Sequence, residues 1–369
     1  MLATLKVGSG KSTLIKFIIS ALRVPESCVA YCAFTGKASQ VLRSKGCPNA
    51  ITAHKLLYYA KQNKQGKYTF YPRKSFENPH LRIIVVDEVS MLPIQMWNLL
   101  LSHPRIYVIA CGDPFQIPVI NPADDNHILD HPHIFLDEIM RQALDSEIIR
   151  TSMWIRSRNP LSSYPCENKE TMVVGQATVP MLMWADQILC ATNETRIKIN
   201  DEVRKILGFN GGPQVGDKII SLHNQWSFSS INENALTNGS IGTIIECHKG
   251  YMTVPYKICK KRIPILYTTI ETEDGDIFED IPIDYTYITT NKKFLTPQQE
   301  YLLRKDKDLP SPPFEFTYGY AITTHKAQGS QWEKVLIFEE WFPNAKEEHA
   351  RWLYTAITRS EDKCVIVKK

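Results

Sequence analysis

A six-residue stretch near the start, Gly8-Ser9-Gly10-Lys11-Ser12-Thr13, restricts the possible fold more than any other feature. It follows a short apolar segment and precedes a helix-like run, LIKFIISAL. Glycines let backbone N–H groups turn toward phosphate oxygens, and a helix N-terminus adds partial positive charge. Lys11 would reach the β- and γ-phosphates of a nucleotide, and the Ser12 hydroxyl would hold Mg²⁺. The stretch therefore predicts a phosphate-binding loop, although a motif this short also arises by chance.

Two carboxylates at the end of an apolar run support a phosphate site. Asp87 and Glu88 directly follow the apolar run Ile83–Val86. Because ligands bind at the carboxyl edge of parallel sheets, we expect both side chains to face a nucleotide. Asp87 would hold Mg²⁺, and Glu88 would orient or deprotonate the attacking water. A strand that ends in a solvated acidic turn is the alternative.

A third apolar run, Ile106–Cys111, leads into the segment GDPFQIP at residues 112–118. Asp113 and Gln116 are placed to sense the γ-phosphate from the end of a neighbouring strand. A loop with two prolines fits a plain turn equally well.

Apolar β-like runs alternate with helical stretches in two parts of the chain, which predicts an α/β fold around parallel sheets. In the second part, a polar helix through Arg204 follows the first run. Between the parts, residues 251–313 are rich in Thr, Tyr and Ile around the turn Glu273–Asp276, which predicts a small antiparallel β insert. The apolar runs are residues 28–34, 82–86, 106–111, 185–192, 334–339 and 364–367. The insert opens on Lys257, Lys260, Lys261 and Arg262, and an acidic stretch from Glu271 to Asp284 follows.

Composition excludes several protein classes. The 369 residues are 43% hydrophobic and 22% charged, as in ordinary globular proteins. No apolar run approaches the roughly 20 residues that span a bilayer, and the start shows no secretory signal. Nine cysteines without a C-x-x-C pair argue against a zinc cluster or a disulfide framework. We therefore expect a cytoplasmic protein without a membrane partner.

A basic and aromatic segment predicts contact with nucleic acid. No acidic residue occurs between Glu26 and Glu77. Basic groups neutralise phosphates, and aromatic faces stack on unpaired bases. A solvated basic face with core aromatics is the alternative. The side chains concerned include Tyr58, Tyr59, Lys61, Lys64, Lys67, Tyr68, Phe70 and Tyr71.

The order of these segments along the chain resembles the superfamily 1 helicases, and the RecD-like and Dda-like enzymes of the 5′-to-3′ branch in particular. The resemblance covers nearly the whole chain. Its segments are GSGKST (8–13), AFTGKA (33–38), TAH (52–54), VVDEVSM (85–91), GDPFQIP (112–118), LDEIMRQ (136–142), ATNETRIKIN (191–200), NGSIGTI (238–244), AITTHKAQGSQW (321–332) and LYTAITRS (353–360).

The resemblance implies two RecA-like P-loop motor domains with parallel sheets. The first would span residues 1–152 and carry a strand-separating pin within 55–80. The second would span residues 153–250 and 314–369. Residues 251–313 would form an inserted small barrel of the Src-homology type.

The resemblance also implies site residues for ATP and Mg²⁺. Arg141 and Arg359 would be arginine fingers that offset charge on the γ-phosphate, although a surface salt bridge is the usual role of a lone arginine. Tyr354 would lie beside the nucleotide, with a core tyrosine as the alternative. The remaining contacts would come from Gly8, Ser9, Gly10, Lys11, Ser12, Thr13, Asp87, Glu88, Asp113 and Gln116.

For DNA, the resemblance implies contacts from both motor domains that hold phosphates without reading sequence. A buried, hydrogen-bonded histidine is the alternative for His325. The residues are Phe34, Thr35, His54, Lys61, Lys64 and Lys67 in the first domain, and Asn193, Thr324, His325, Lys326 and Gly329 in the second.

The expected function is an ATP-dependent DNA helicase or translocase, acting as a monomeric motor on single-stranded DNA and duplex junctions. We expect a bacterial or phage-infected cell as its setting, and replication or recombination proteins as candidate partners. One alternative is an ATPase-impaired protein that only binds single-stranded DNA. The other is the motor subunit of a helicase-nuclease complex, in which a partner would cleave.

The sequence departs from the family at its start. Leu5 stands where the complete loop pattern has a glycine. Relatives also carry a preceding segment with a glutamine that recognises adenine, and this sequence shows no counterpart. A truncated start would explain both departures. It leads us to expect weak nucleotide binding that is indifferent to the base.

Overall fold

The structure is a computed structural model. It describes residues 2–5, 11–47, 49–62, 68–118, 127–136, 145–161, 164, 170–223, 225–229, 235–273, 275–306, 308–340 and 346–368. For residues 2–5, 11–14, 60–62, 68, 69, 136, 225–229 and 235 the backbone alone is described. The chain forms two compact units. The first comprises Met1–Tyr58, Pro72–Ile197 and Ala321–Lys369, and the second comprises Tyr59–Tyr71 and Lys198–Tyr320.

Strands and helices alternate along most of the described chain. The strands are β1 Leu2–Leu5, β2 Val29–Ala33, β3 Ile51–Thr52, β4 Tyr58–Gln62, β5 Tyr68–Pro72, β6 Ile83–Asp87, β7 Tyr107–Gly112, β8 Ile134–Leu136, β9 Thr171–Val174, β10 Gln187–Cys190, β11 Lys218–Ser221, β12 Gln225–Ser229, β13 Ala235–Leu236, β14 Ile241–Met252, β15 Ile263–Thr272, β16 Ile277–Asp284, β17 Phe316–Tyr318, β18 Ala321–Thr323, β19 Trp332–Phe338 and β20 Ser360–Val367. The helices are α1 Lys11–Ala21, α2 Gly36–Ser44, α3 Ala53–Leu57, α4 Ile94–Leu101, α5 Glu147–Arg156, α6 Val179–Trp184, α7 Asn193–Ile206, α8 Tyr285–Thr290, α9 Pro297–Lys305, α10 Thr324–Ala327 and α11 Lys346–Ile357.

The first unit contains two parallel sheets. One has the strand order β3-β2-β6-β7-β1-β8, and the other has the order β18-β10-β19-β20-β9. The apolar residues of β6 are buried throughout, as expected for a strand covered on both faces. Because every neighbouring pair is parallel, the carboxyl ends of β6 and β7 lie side by side. This edge is where the predicted phosphate site falls.

Threonine side chains cap the first turns of α2 and α3. Thr35 precedes α2, and its hydroxyl accepts a hydrogen bond from Ala38 N at 3.1 Å. Thr52 caps α3 in the same way, by accepting from Lys55 N at 3.2 Å. Such caps satisfy backbone donors that have no partner within the helix. The caps therefore hold the residues that the sequence assigns to DNA at the ends of strands β2 and β3.

The second unit is built on an antiparallel sheet with the order β16-β15-β14-β11-β17. Burial roughly alternates along β15, as expected for a sheet with one face on the core. The sheet includes strands on both sides of residues 251–313, since it begins at Lys218 and ends at Tyr318. The bounds of an inserted domain and its barrel character stay predictions.

The parallel sheets confirm the α/β part of the sequence analysis. The six predicted apolar runs coincide with β2, β6, β7, β10, β19 and β20, and the predicted polar helix is α7. Within the described residues, every helix is too short or too polar to cross a bilayer. Strands β4 and β5 form a separate two-stranded sheet in the basic and aromatic segment.

Candidate nucleotide site and nucleic-acid contacts

Glu88 lies directly after β6 in a strained backbone conformation. Its φ of 50° and ψ of 47° are left-handed, and its N–H donates to Asp87 Oδ1 at 3.0 Å. A left-handed residue other than glycine costs about 1–3 kcal/mol, and such residues cluster at functional sites. The turn ends the strand and leaves both carboxylates at the edge of the sheet. Contact of Asp87 and Glu88 with a nucleotide stays a prediction.

Arg359 precedes β20 of the other parallel sheet and is only 4% exposed. Its guanidinium donates to the carbonyls of Thr355 at 3.2 Å and Ser330 at 3.3 Å. Burial lowers the pKa of Arg359, and the charge of nearby Glu88 opposes that shift. An arginine pKa is so high that the group stays protonated. The charge of Glu88 therefore acts on the buried guanidinium of Arg359.

The Gln116 side chain is buried without a hydrogen-bond partner among the described residues. It is 2% exposed, and neither atom of its amide group forms a hydrogen bond within the described part of the chain. Buried polar groups are almost always satisfied, so such an amide calls for a ligand or water. Amide donors suit phosphate oxygens. Gln116 therefore fits the nucleotide that the sequence predicts at this edge.

Asp113 has a different environment from Gln116, although both were predicted to sense the γ-phosphate. Its buried carboxylate accepts hydrogen bonds from the Tyr354 hydroxyl, from Arg156 Nη1 at 3.1 Å and from Phe115 N at 3.0 Å. Those three donors join the loop after β7 to α5 and α11. The carboxylate is thus an internal anchor in this structure, and its contact with a nucleotide stays a prediction.

Tyr354 is fully buried, and its ring meets Phe115 edge-on with 5.2 Å between centroids. The core alternative that the sequence left open therefore describes its packing. Arg156 completes this cluster, since its guanidinium lies 5.4 Å from the Phe115 ring centroid. The sequence analysis missed Arg156, because an arginine in the last turn of a helix carries no distinguishing signal.

Ile117 connects the loop after β7 to the other parallel sheet through its backbone. Its N–H donates to Thr355 Oγ1 at 3.0 Å, and its carbonyl accepts from Gln328 Nε2 at 2.7 Å. Gln328 lies one residue beyond the end of α10, beside the residues assigned to DNA. Neither Gln328 nor Thr355 was predicted as a site residue, although both lie in segments that carry the family resemblance. Both bonds are buried, so they link the Gln116 loop to the segment around α10.

The predicted DNA residues Phe34, Thr35 and His54 lie together with Gly329. The rings of Phe34 and His54 are 5.6 Å apart between centroids. Gly329 has a φ of +79°, and a Cβ there would lie 2.7 Å from Thr35 Oγ1. Only glycine permits both this backbone conformation and this close approach. Residues from both parallel sheets therefore meet at this point.

Other predicted DNA residues differ in their accessibility. Thr324 is buried and its hydroxyl donates to the Cys190 carbonyl at 3.3 Å. Burial lowers the pKa of His325 and of His54, which keeps both rings neutral near pH 7. Burial also lowers the pKa of Lys326. Asn193 is exposed at the start of α7, with its side-chain oxygen accepting from Arg196 Nε at 3.1 Å.

Several predicted site residues lie outside the described part. They are Gly8, Ser9, Gly10, Lys64, Lys67 and Arg141, together with the side chains of Leu5, Lys11, Ser12, Thr13 and Lys61. The described residues contain no group of three or more His, Cys, Asp or Glu side chains that could hold a metal ion. Mg²⁺ bound with a nucleotide needs only one or two protein carboxylates, and Asp87 can supply one.

Two stretches of the chain match described protein families. Residues 1–122 match a family described as an AAA domain, and residues 318–367 match the UvrD-like helicase C-terminal domain.

Among curated proteins, the ATP-dependent RecD2 DNA helicase of Deinococcus radiodurans is 24% identical over 96% of this chain and 45% of its own length. The ATP-dependent DNA helicase dda of Enterobacteria phage T4 is 30% identical over 32% of this chain and 28% of its own length. The chain therefore spans less than half of the RecD2 relative. A structure of Bacteroides Pif1 bound to ssDNA has a TM-score of 0.55 at 17% identity, covering 100% of this chain and 88% of the other. The family matches and the curated relatives show that the chain is similar to superfamily 1 helicases of the RecD and Dda type, and the Pif1 structure shows that the fold is shared.

Proposed function

We propose that this chain is an ATP-driven motor that moves along single-stranded DNA and unwinds duplexes in the 5′-to-3′ direction. Residues 1–152 are proposed as the first motor domain, residues 153–250 and 314–369 as the second, and residues 251–313 as a barrel-like insert. The proposal extends to a monomeric, cytoplasmic protein. Its relatives include a bacterial enzyme and a phage enzyme.

The observation that carries the proposal is the contact at Thr355, whose hydroxyl accepts from Ile117 N and whose carbonyl accepts from Arg359 Nε, while the charge of Glu88 acts on Arg359. Glu88 follows a strand of one parallel sheet, and Arg359 precedes a strand of the other. Hydrolysis of a phosphoanhydride needs a base or a water-orienting group, together with a cation that stabilises charge on the transferred phosphoryl group. These two side chains supply both functions, so ATP is proposed to bind where the two sheets meet.

The remaining nucleotide contacts are assigned by chemistry. Gln116 is proposed to satisfy its buried amide on the γ-phosphate or on the attacking water. Lys11 is proposed to neutralise the β- and γ-phosphates. Asp87 and Ser12 are proposed to hold Mg²⁺, which offsets phosphate charge when bound. Arg141 is proposed as a second arginine finger.

Single-stranded DNA is proposed to bind at the group formed by Phe34, Thr35, His54 and Gly329. The ring of Phe34 supplies a stacking face, and a neutral His54 can donate one hydrogen bond to a phosphate. The Ile117 backbone joins the ATP loop to the segment after α10. ATP binding that draws the two sheets together would therefore change the grip on DNA, and hydrolysis would release it.

The test is ATP turnover with and without single-stranded DNA, together with strand displacement on a forked duplex. Glu88→Gln is expected to bind ATP normally and to lose turnover by about 10²–10⁴-fold, since an amide cannot act as a base. Arg359→Lys is expected to lose turnover while keeping DNA affinity. The matched control is Glu333→Gln, a change of an exposed carboxylate in β19. Normal turnover in Glu88→Gln would remove the catalytic assignment.

A further inference from the structure

The loop between β14 and β15 carries an exposed group of cations in the second unit. Tyr256, Lys257, Lys260, Lys261 and Arg262 are all exposed, and we call them the basic loop. Tyr256 is 71% exposed, with the Lys260 ammonium 5.6 Å from its ring centroid. Across the described residues, none of the four cations forms an ion pair. Among the described residues, no carboxylate therefore neutralises their charge.

Apolar packing and hydrogen bonds hold the backbone of the basic loop in place. Val254 and Ile258 are buried in an apolar cluster with Leu303 of α9. Ile258 N donates to the Pro255 carbonyl at 2.8 Å, and Gln299 Nε2 donates to the Ile258 carbonyl at 2.8 Å. The cations thus stand on a packed turn, so binding a partner would order little additional backbone.

Glu271, Glu273 and Asp276 lie at the end of the sheet opposite the basic loop. β14 runs from Gly242, which pairs with Thr272, to Met252 beside the basic loop. Ten residues of strand span about 33 Å, which is several Debye lengths at physiological salt. Glu271 and Glu273 lie at the far end, and Glu273 already pairs with Lys218 at 3.0 Å. The acidic end therefore does little to reduce the potential at the basic loop.

Two carboxylates closer to the basic loop are engaged by other groups. Glu300 of α9 pairs with Lys293 and Arg304, each at 3.3 Å. Asp284 is buried and caps α8 by accepting from Tyr287 N at 2.9 Å. Neither is available to the cations of the loop. The basic end of the sheet thus presents a positive surface with an exposed aromatic ring.

We propose that the basic loop is a second binding surface for the phosphate backbone of single-stranded DNA, distinct from the group around Phe34 and Gly329. Its cations neutralise phosphates, and Tyr256 offers a flat face on which an unpaired base stacks. Single-stranded nucleic acid uses both features, because it combines phosphates with unpaired bases, and it is therefore the favoured ligand. The proposal rests on the proposed function for its ligand class and requires no ATP hydrolysis.

The experiment measures the affinity of the whole chain for a fluorescent single-stranded oligonucleotide, without nucleotide, across a range of salt concentrations. The triple variant Lys260→Gln, Lys261→Gln, Arg262→Gln is expected to bind DNA more weakly. The slope of the logarithm of the binding constant against the logarithm of the salt concentration should become shallower by about 2, since each lost phosphate contact reduces it by about 0.7. A matched control with the same charge change is Lys292→Gln, Lys346→Gln, Lys363→Gln. All three control residues are exposed.

A second pair of variants tests the aromatic ring. Tyr256→Ala is expected to weaken binding by roughly 5- to 150-fold, since stacking contributes about 1–3 kcal/mol per base, whereas Tyr256→Phe keeps the face and the affinity. Equal salt slopes for the loop variant and the control would overturn the proposal, as would full affinity in Tyr256→Ala. DNA-stimulated ATP turnover in the same native preparation tests the proposed function separately. If DNA stimulates ATP turnover normally but the loop variant has an unchanged salt slope, only the second DNA surface is rejected. The basic loop would then be a candidate site for an acidic protein.

Discussion

Gln328 donates its side-chain amide to the carbonyl of Ile117 at 2.7 Å, across 211 positions of the chain. Ile117 follows Gln116, the proposed sensor of phosphate, and Gln328 precedes Gly329, which lies against Thr35. This hydrogen bond therefore connects the two proposed ligand sites through one side chain. It is buried, so water cannot easily replace it.

Gln328→Ala is expected to reduce the stimulation of ATP turnover by DNA more than it reduces basal turnover. The carbonyl of Ile117 would lose its partner, and an unsatisfied buried acceptor costs about 1–3 kcal/mol. A coupling free energy of that size corresponds to a change of roughly 5- to 150-fold in the effect of DNA on the ATP site. The measurement is the ratio of stimulated to basal rates, with exposed Gln176→Ala as the control. Parallel loss of both rates would show that Gln328 only supports the fold.

Tyr354→Phe is expected to destabilise the protein by about 1–3 kcal/mol. The change keeps the ring but removes the hydroxyl that donates to the buried Asp113 carboxylate. Arg156 and Phe115 N still hold that carboxylate, so the fold should survive. A buried acceptor that loses one donor carries the penalty given for an unsatisfied group.

The free energy of unfolding in urea checks this prediction. Tyr107→Phe is the matched control, because Tyr107 is 75% exposed and its hydroxyl lies on the surface of β7. Equal stability of the two variants would mean that the Tyr354–Asp113 hydrogen bond contributes nothing. A change in the denaturant slope would instead indicate an altered unfolded state.

The parallel strands could be predicted from sequence because burial leaves a short-range signal. β6 lies within one residue of its predicted position, since a strand covered on both faces must be continuously apolar. The carboxylates after it followed from the same reasoning. Residues assigned through the family resemblance, such as Thr35 and Gly329, also lie together in the structure.

The contacts between the two parallel sheets could not be predicted from sequence. Thr355 and Ile117 are 238 positions apart, and nothing in the local sequence of either marks the other. Asp113 and Gln116 looked alike in sequence, yet one is saturated by donors and the other has none within the described residues. That difference depends on which side chains the second sheet presents, so it requires the tertiary structure.

The protein is expected to lose stability as the pH falls below about 6.5. Burial lowers the pKa of His103, whose Nε2 is buried without a partner in the described chain. The unfolded chain takes up a proton near its ordinary pKa of 6.5, while the folded chain resists protonation. Stability is therefore complete above that pH and declines as the pH falls toward the lower, folded pKa.

Unfolding free energies at about pH 7.5 and 5.5 measure this decline. His103→Phe is expected to reduce the decline, because the ring would remain packed against Phe76 without a group to protonate. His80→Gln is the control, since His80 is exposed. Burial also lowers the pKa of His54 and His325, so part of the decline persists in His103→Phe. An unchanged decline in that variant would contradict the role of His103.

Gly329→Ala is expected to weaken binding of single-stranded DNA while leaving basal ATP turnover less affected. The new Cβ would lie 2.7 Å from Thr35 Oγ1 and 3.0 Å from the Ala38 side chain, so α2 or the turn after α10 must shift. Gly208→Ala is the matched control, because Gly208 has a similar φ of +77° and nothing within 4 Å of an added Cβ. Both changes incur the strain of a left-handed alanine, about 1 kcal/mol. Only the change at Gly329 also separates the two groups of residues proposed to hold DNA. A loss of affinity that is the same in both variants would trace the effect to backbone strain and remove Gly329 from the proposed DNA site.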